Sequence, residues 1–449
     1  MKVVEISEPV RIQDLSHDGR GIARVDGKII FIEGGLPDEL VRFQYLKKRK
    51  DFDEAKLVEI IEANPERVQP ACSHFGVCGG CSLQHLSTAG QLKYKQQHWL
   101  GLMKKMGGGL PDTILEPLQT EVWHYRRKAR LGVKYVAKKE KVLLGFREKR
   151  NPQYLMDMEE CQVLHSRFTE HLPRLKTMLN HWSSPQSIAQ VELAVGQECG
   201  MVLRHLHPLS TQDEQLLQKF GEETGFKIYL QPKGPDSLIL FYPKQASFSM
   251  SFSIPQFDVS MTFEPLDFIQ VNQSMNEAMI SQALDLLELC SEDRVLDLFC
   301  GLGNFTLPLA KSVEYVYGVE GSAAMIARAK QNAEAQGIHN LSFSVADLQD
   351  LACVQQLEQF KFNKILLDPA RDGALTVVEN MGKLNPERIV YVSCHPATLA
   401  RDAEILRHRF GYRMVTGGVM DMFPHTNHIE SMALFIKDNN GQGQRDIQL

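Results

Sequence analysis

The 449-residue sequence predicts an α/β protein, with an open, mostly parallel sheet at its C-terminal end. Ahead of that sheet it predicts a small OB-like β-barrel and an α+β middle segment. Three observations carry the prediction. Strand and helix patterns alternate from residue 266 onward, as in doubly wound sheets. A glycine-bearing loop, Cys300-Gly301-Leu302-Gly303-Asn304, follows the first of those strands, where a ligand can approach the backbone closely. Short alternating strands separated by turn residues fill the first 67 positions, a barrel pattern. The expected divisions are therefore 1–67, 68–265 and 266–449, in keeping with a prior of ~150 residues per domain.

In the first segment, strands are expected at Val10–Leu15, Gly21–Val25, Lys28–Ile32, Leu40–Tyr45 and Ala55–Ile61. The run Lys47-Lys48-Arg49-Lys50 falls in a hairpin loop between the last two. In the middle segment a helix is expected from Gln91 to Met106, stopped by Gly107-Gly108-Gly109. Strands are expected at Val191–Val195, Met201–His205 and Lys227–Gln231. In the last segment, strands are expected at Arg294–Phe299, Tyr315–Val319, Leu341–Val345, Lys364–Leu367, Ile389–Ser393 and Ser431–Ile436. Helices are expected at Phe305–Lys311, Ala323–Gln336 and Ala397–Arg409. The polar tail from Asp438 onward is expected to fray.

The net charge of -5 argues against a polyanion binder until it is resolved along the chain. Residues 1–70 carry 12 Lys+Arg against 14 Asp+Glu, residues 71–150 carry 15 against 5, and residues 151–449 carry 23 against 36. The middle stretch is thus strongly basic inside a slightly acidic chain. Tyr125, Tyr135 and Phe146 are interleaved with its basic residues, the pattern that stacking on nucleic-acid bases requires. The N-terminus lacks a charged and then apolar leader, and no apolar run approaches the ~20 residues of a membrane span. A cytoplasmic protein with no membrane partner is expected, acting as a monomer.

Nine cysteines, an odd number, argue for a reducing compartment and against a disulfide framework. Cys72, Cys78 and Cys81 form C-x5-C-x2-C, with glycines that let the chain fold around a ligand. Three thiolates need a fourth ligand to close a zinc or iron-sulfur site, and Cys161 is the next cysteine in the chain. Zinc sites favour paired C-x2-C knuckles, so the single tight pair leans towards iron-sulfur.

Three carboxylates follow successive strands of the C-terminal segment. Asp297 suits an amino-acid ammonium, Glu320 suits two ribose hydroxyls, and Asp347 suits an adenine amino group. Together these contacts point to S-adenosyl-L-methionine. Asp368, in Asp368-Pro369-Ala370-Arg371, ends a further strand beside that loop. Cys394, in Ser393-Cys394-His395-Pro396, sits at the tip of the next. A thiol between a hydroxyl and a helix start is expected to have a lowered pKa and to act as a nucleophile.

These motifs, with Phe268-Ile269-Gln270-Val271-Asn272 before them and the stretch from Asp421 to Glu430 after them, resemble the RNA uracil-C5 methyltransferases. The likeness runs over nearly the whole chain; Ala370 stands where the family often has a second proline. His17-Asp18-Gly19-Arg20-Gly21 and Gly35-Leu36-Pro37 resemble a TRAM domain. The set Cys72, Cys78, Cys81 and Cys161 is similar to the family's 4Fe-4S ligands. Having both modules resembles the branch that modifies 23S ribosomal RNA.

The resemblance implies a class I S-adenosylmethionine-dependent methyltransferase with TRAM and iron-sulfur modules, acting on 23S rRNA. It implies Cys394 as the nucleophile that adds to uracil C6 and Glu430 as the base that removes the C5 proton. It places Gln270, Phe299, Asn304, Glu320, Asp347 and Asp368 at the cofactor, and suggests Phe268 as a stacking partner of the target base. His425 and His428 are weaker candidates. The base must leave its stack, so flipping or a single-stranded target is expected. The alternatives are an RNA-binding assembly factor, a methyltransferase for another rRNA or tRNA uridine, and a radical iron-sulfur enzyme. Intact Cys394 and Glu430 argue against the assembly factor. The C-x5-C-x2-C spacing differs from the C-x3-C-x2-C loop of radical enzymes.

Overall fold

The computed structural model describes residues 5–438, so the polar tail beyond Asp438 and the first four residues lie outside the described part. The N-terminal segment is a six-stranded sheet. Its first expected strand is broken at Ile12-Gln13 into Val10–Arg11 and Asp14–Leu15, which pair with opposite edges of the sheet. That break closes the barrel, because one strand completes both edges. Ile12 turns fully into the core, where Gly21 and Gly35 leave room for it: a Cβ at Gly35 would stand 2.3 Å from Ile12 Cδ1. The hairpin joining Leu40–Lys48 to Phe52–Glu62 exposes Lys47, Lys48, Arg49 and Lys50.

The barrel is anchored to the rest of the chain. Leu15 and Leu36 pack with Leu83, Leu86 and Tyr94, and Tyr94 donates to Ser16 O at 2.7 Å. Arg67 grips the fully buried Glu39 with two hydrogen bonds, of 2.6 and 2.8 Å.

The middle segment contains a second six-stranded sheet, ordered Ile239–Tyr242, Lys227–Gln231, Cys199–His205, Ile188–Val195, Lys128–Val136 and Lys141–Gly145. Part of the basic stretch lies in this sheet and does not face solvent. Tyr125 is buried, donating to Pro424 O at 3.1 Å, so the expected stacking of this ring on nucleic acid is corrected: its hydroxyl braces a loop. Phe146 and Tyr135 are partly buried against the same core. Arg127 is buried too, its Nε donating to Gln270 O at 2.8 Å and its guanidinium lying over the Phe252 ring. Arg130, Lys134, Lys138 and Lys139 remain exposed.

The C-terminal sheet has eight strands, in the order Leu341–Val345, Tyr315–Glu320, Arg294–Leu298, Lys364–Leu367, Arg388–Ser393, Glu430–Lys437, Tyr412–Met420 and Thr113–Ile114. The first five run parallel and Glu430–Lys437 runs antiparallel to its neighbours. The strand order turns back beside Arg294–Leu298, and ligands bind at such a switch point. Thr88–Met106 is a helix, capped by the Ser87 side chain, that packs on this sheet through Trp99 and Met103.

Tyr412–Met420 was not expected as a strand. Its Gly417-Gly418 pair lies in the strand because larger residues do not fit: a Cβ at Gly417 would meet Trp99 at 2.8 Å, and one at Gly418 would meet Leu115 at 2.8 Å. Among the described residues, no helix is long and apolar enough to cross a membrane.

Candidate active site

The C-terminal ends of the parallel strands open onto a cleft of about 1110 Å³. Gln270, Phe299, Asn304, Glu320, Asp368, Cys394 and Glu430 all line it, together with Phe268, Arg371, Phe423 and His428. Asp347 is exposed and is not among the lining residues; its Oδ1 accepts from Gln349 N at 2.9 Å. Asp297 also departs from the expectation of ligand contact. It is fully buried beneath the loop, hydrogen-bonded by Thr306 Oγ1, and its Oδ1 has no partner among the described residues. Burial, aided by nearby Asp368, pushes its carboxyl up to about 7.

The loop after Arg294–Leu298 is built from backbone that few residues adopt. Phe299 has φ 65°, and Gly301 and Gly303 have φ 55° and 90°. Phe299 N and Cys300 N both donate to Val319 O, at 2.9 and 3.1 Å, which ties the loop to the neighbouring strand. Glu320 accepts from Ser322 N at 3.0 Å and from Gly301 N at 3.3 Å, so its carboxylate is held at the cleft wall. Asn304 and Asn276 exchange two amide hydrogen bonds, of 2.9 and 2.8 Å. Asn276 lies on the Gln273–Leu287 helix, an element the sequence patterns did not mark.

Cys394 stands just before the Pro396–Phe410 helix, which His395 caps. Its thiol is not acidified as expected. Burial pushes it up to about 12, with Glu430 and Asp368 adding to the rise and Arg371 opposing it. Glu430 is buried at the start of its strand, and burial together with Asp368 raises its carboxyl to about 8, against Lys95 and Arg371. Asp368 is raised to about 7 by burial. Two carboxyls poised near pH 7, Asp368 and Glu430, thus line the cleft, with a third, Asp297, buried beneath its loop. Perturbed groups gathered in a cleft are a signature of acid-base chemistry.

Lys95 escaped notice in the sequence because it sits in a helix over 300 residues from its partner. It is fully buried, donating to Asp421 Oδ1 at 2.7 Å and to Phe423 O at 3.0 Å. His425 does not line the cleft; its ring stacks on Trp123, with centroids 3.7 Å apart. His428 does line it, with Nδ1 3.2 Å from Arg371.

Cys72, Cys78, Cys81 and Cys161 line one small cavity in the middle segment, beside Phe75, Gln84 and Phe146. N–H groups address their sulfurs. Gly80 N lies 3.4 Å from Cys78 Sγ, the Gln84 side chain bonds Cys81, and the Val163 and Leu164 backbones bond Cys161. Burial still pushes Cys78 up to about 11 and Cys81 up to about 12. Among the described residues, no three His, Cys, Asp or Glu side chains converge as ligands of a single ion.

Comparison with known proteins adds the family. Residues 89–438 match the tRNA (Uracil-5-)-methyltransferase family, and residues 7–45 match the TRAM domain. A curated protein of Legionella pneumophila, 23S rRNA (uracil(1939)-C(5))-methyltransferase RlmD, is 47% identical over 96% of this chain and 97% of its own. Its counterpart in Xanthomonas oryzae pv. oryzae is 48% identical over 94% of this chain and 96% of its own. Among solved structures, the Pyrococcus abyssi tRNA (uracil-54, C5)-methyltransferase in complex with S-adenosyl-L-homocysteine shares the fold. Its TM-score is 0.72 at 24% identity, covering 96% of this chain and all of that one.

Proposed function

Since the chain belongs to the tRNA (Uracil-5-)-methyltransferase family, we propose that it transfers a methyl group from S-adenosyl-L-methionine to C5 of a uridine in 23S ribosomal RNA, through a covalent adduct of Cys394 with uracil C6. The observation that carries this reading is that Cys394, Glu430 and the Phe299–Glu320 cofactor wall face one cleft in a chain similar along its length to 23S rRNA enzymes.

Uracil C5 is a poor nucleophile. Addition of the Cys394 thiolate to C6 makes an enolate, whose C5 attacks the sulfonium methyl. The Glu430 carboxylate then takes the C5 proton. The freed electron pair restores the C5–C6 double bond, and the thiolate leaves. A base with a pKa near 8 suits that proton transfer at neutral pH. The resting thiol is protonated, so its proton passes to solvent as the target enters; the cationic sulfonium offsets the two carboxyls that oppose the thiolate.

Glu320 accepts the ribose hydroxyls, with Gln270, Phe299 and Asn304 along the same wall and Asp347 towards the adenine. Asp368 meets the uracil edge and Phe268, which is 70% exposed, offers a ring to a flipped base. The basic hairpin of the TRAM barrel and exposed Arg130, Lys134, Lys138 and Lys139 attract the RNA backbone. The work divides along the three segments 1–67, 68–265 and 266–449, except that Thr88–Met106 and Thr113–Ile114 serve the catalytic sheet.

Cys72, Cys78, Cys81 and Cys161 fit a 4Fe-4S cluster. Such a cluster takes one thiolate per iron, so its four sulfurs surround a cavity and do not converge on one ion. N–H donors aimed at three of those sulfurs favour an anionic group there. With four protein ligands such a cluster would be closed and would supply rigidity to the middle segment.

The reading is tested by mapping C5-methylated uridines in rRNA and tRNA from cells with and without the protein. Loss of one 23S rRNA methylation, restored by the wild-type gene and not by Cys394→Ala, is expected. An unchanged 23S map, or a lost site in tRNA instead, contradicts it.

A further inference from the structure

The stretch from Asp421 to Glu430 joins the last two long strands and ends on the proposed base. Its middle residue, His425, has φ 65°, a left-handed conformation that a histidine adopts at a cost of roughly 1 kcal/mol. The groups that hold it there come from residues more than 300 positions away in the chain. His425 O accepts from Ser82 N at 2.9 Å and from Leu83 N at 3.0 Å. His425 N donates to Gln91 Oε1 at 2.8 Å, and Gln91 Nε2 lies 3.2 Å from His425 Nδ1. The same Gln91 amide donates to Leu86 O at 2.8 Å and Leu83 O at 3.1 Å, so one buried side chain reads both partners of the contact.

Two residues on, Asn427 N donates to Ser82 Oγ at 2.9 Å, and Asn427 Nδ2 donates to His17 O of the barrel at 2.7 Å. Trp123 closes the turn from the other side by stacking on the His425 ring. Neither Ser82 nor Gln91 lines the cleft. Ser82 directly follows Cys81, so these bonds also tie the four-cysteine cavity to the turn.

We infer that Gln91 and Ser82 are positioning residues for the catalytic base: by fixing the His425 turn they set where Glu430 stands when the C5 proton is removed. This rests on the reading of Glu430 given above. Cys394 and the cofactor wall belong to other loops, although Phe423 and His428 of the turn also line the cleft, so loosening the turn slows the elimination step more than cofactor binding or methyl transfer. The covalent RNA adduct then outlives its formation.

The test uses full-length Gln91→Ala and Ser82→Ala proteins with 23S rRNA transcript and S-adenosylmethionine. Expected for Gln91→Ala is S-adenosylhomocysteine affinity within about twofold of wild type, first-turnover methyl transfer within about threefold, and steady-state turnover down about tenfold or more, roughly 1.4 kcal/mol. A protein–RNA adduct accumulates on a denaturing gel. Ser82→Ala shifts the same readouts by less, and carries the test if Gln91→Ala fails to fold.

Turnover that falls without an adduct, or in parallel with cofactor affinity, overturns the inference, as does wild-type turnover in both variants. Glu430→Gln is run alongside. If it traps no adduct, the reading of Glu430 as base fails. If it traps one and Gln91→Ala does not, only the positioning role fails.

Discussion

The chain holds thiols in two contrasting environments. Around Cys78, Cys81 and Cys161, burial raises the pKa but N–H groups point at sulfur. Around Cys394, burial raises the pKa and the carboxyls of Glu430 and Asp368 add to the rise, with Arg371 and its own backbone N–H in opposition. The first environment suits sulfurs that stay anionic on a bound group. The second suits a thiol that stays protonated until substrate and a cationic cofactor arrive, which spares it from premature reaction. Low polarity is common to both; the dipoles and charges around each sulfur separate a ligand from a nucleophile.

The comparison breaks first at Cys394. Cys394→Ala is expected to lower methyl transfer by about a thousandfold or more while S-adenosylhomocysteine still binds, read by single-turnover assay and calorimetry. Residual transfer near the wild-type rate would falsify the covalent route.

Next in size, Cys81→Ser is expected to lose the visible iron-sulfur absorbance of anaerobically purified protein and to melt earlier, whereas Cys394→Ser keeps both. Equal iron content in the two variants would merge the two environments. A smaller effect is expected in pH dependence. With Glu430 raised to about 8, its carboxylate form grows as pH rises through that value, so a turnover limited by proton removal increases between about pH 7 and 9. A flat profile in an elimination-limited assay would assign the base elsewhere.

The smallest effect concerns stability. Asp297 is raised to about 7 in the folded chain, against 3.8 as its ordinary value. Between those pH values the folded state holds a proton that the unfolded state has released, so this group's contribution to stability falls as pH rises from about 4 to 7. Asp297→Asn is expected to flatten that part of the stability profile in denaturant titrations. A profile as steep as wild type would mean that Asp297 is ionised in the fold.

Much of this was legible in the sequence. Strand ends in an α/β sheet carry the reacting groups, so Asp368, Cys394 and Glu320 could be read from the apolar runs that precede them. Residues whose role depends on contacts across the chain could not. Lys95 and Gln91 lie on an ordinary-looking helix, and only the tertiary fold brings them to Asp421 and His425. The Tyr412–Met420 strand went unmarked because the bulk that Gly417 and Gly418 accommodate, Trp99 and Leu115, comes from another segment. Tyr125 sat among basic residues and suggested stacking, but chain order does not reveal that the segment ahead of the Lys128–Val136 strand packs inward. The lowered pKa expected for Cys394 considered the helix start and left out burial and the two carboxyls delivered by the neighbouring strands.

In the proposed mechanism Cys394 and Glu430 share one covalent route to C5 methylation. The decisive quantity is the mass of the species formed when Glu430→Gln meets 23S rRNA transcript and methyl-labelled S-adenosylmethionine. A denaturation-resistant protein–RNA adduct that carries the labelled methyl is expected, and it is absent when Cys394→Ala is added to the same chain. Methylated RNA released freely by Glu430→Gln, or an adduct that survives the loss of Cys394, would contradict it.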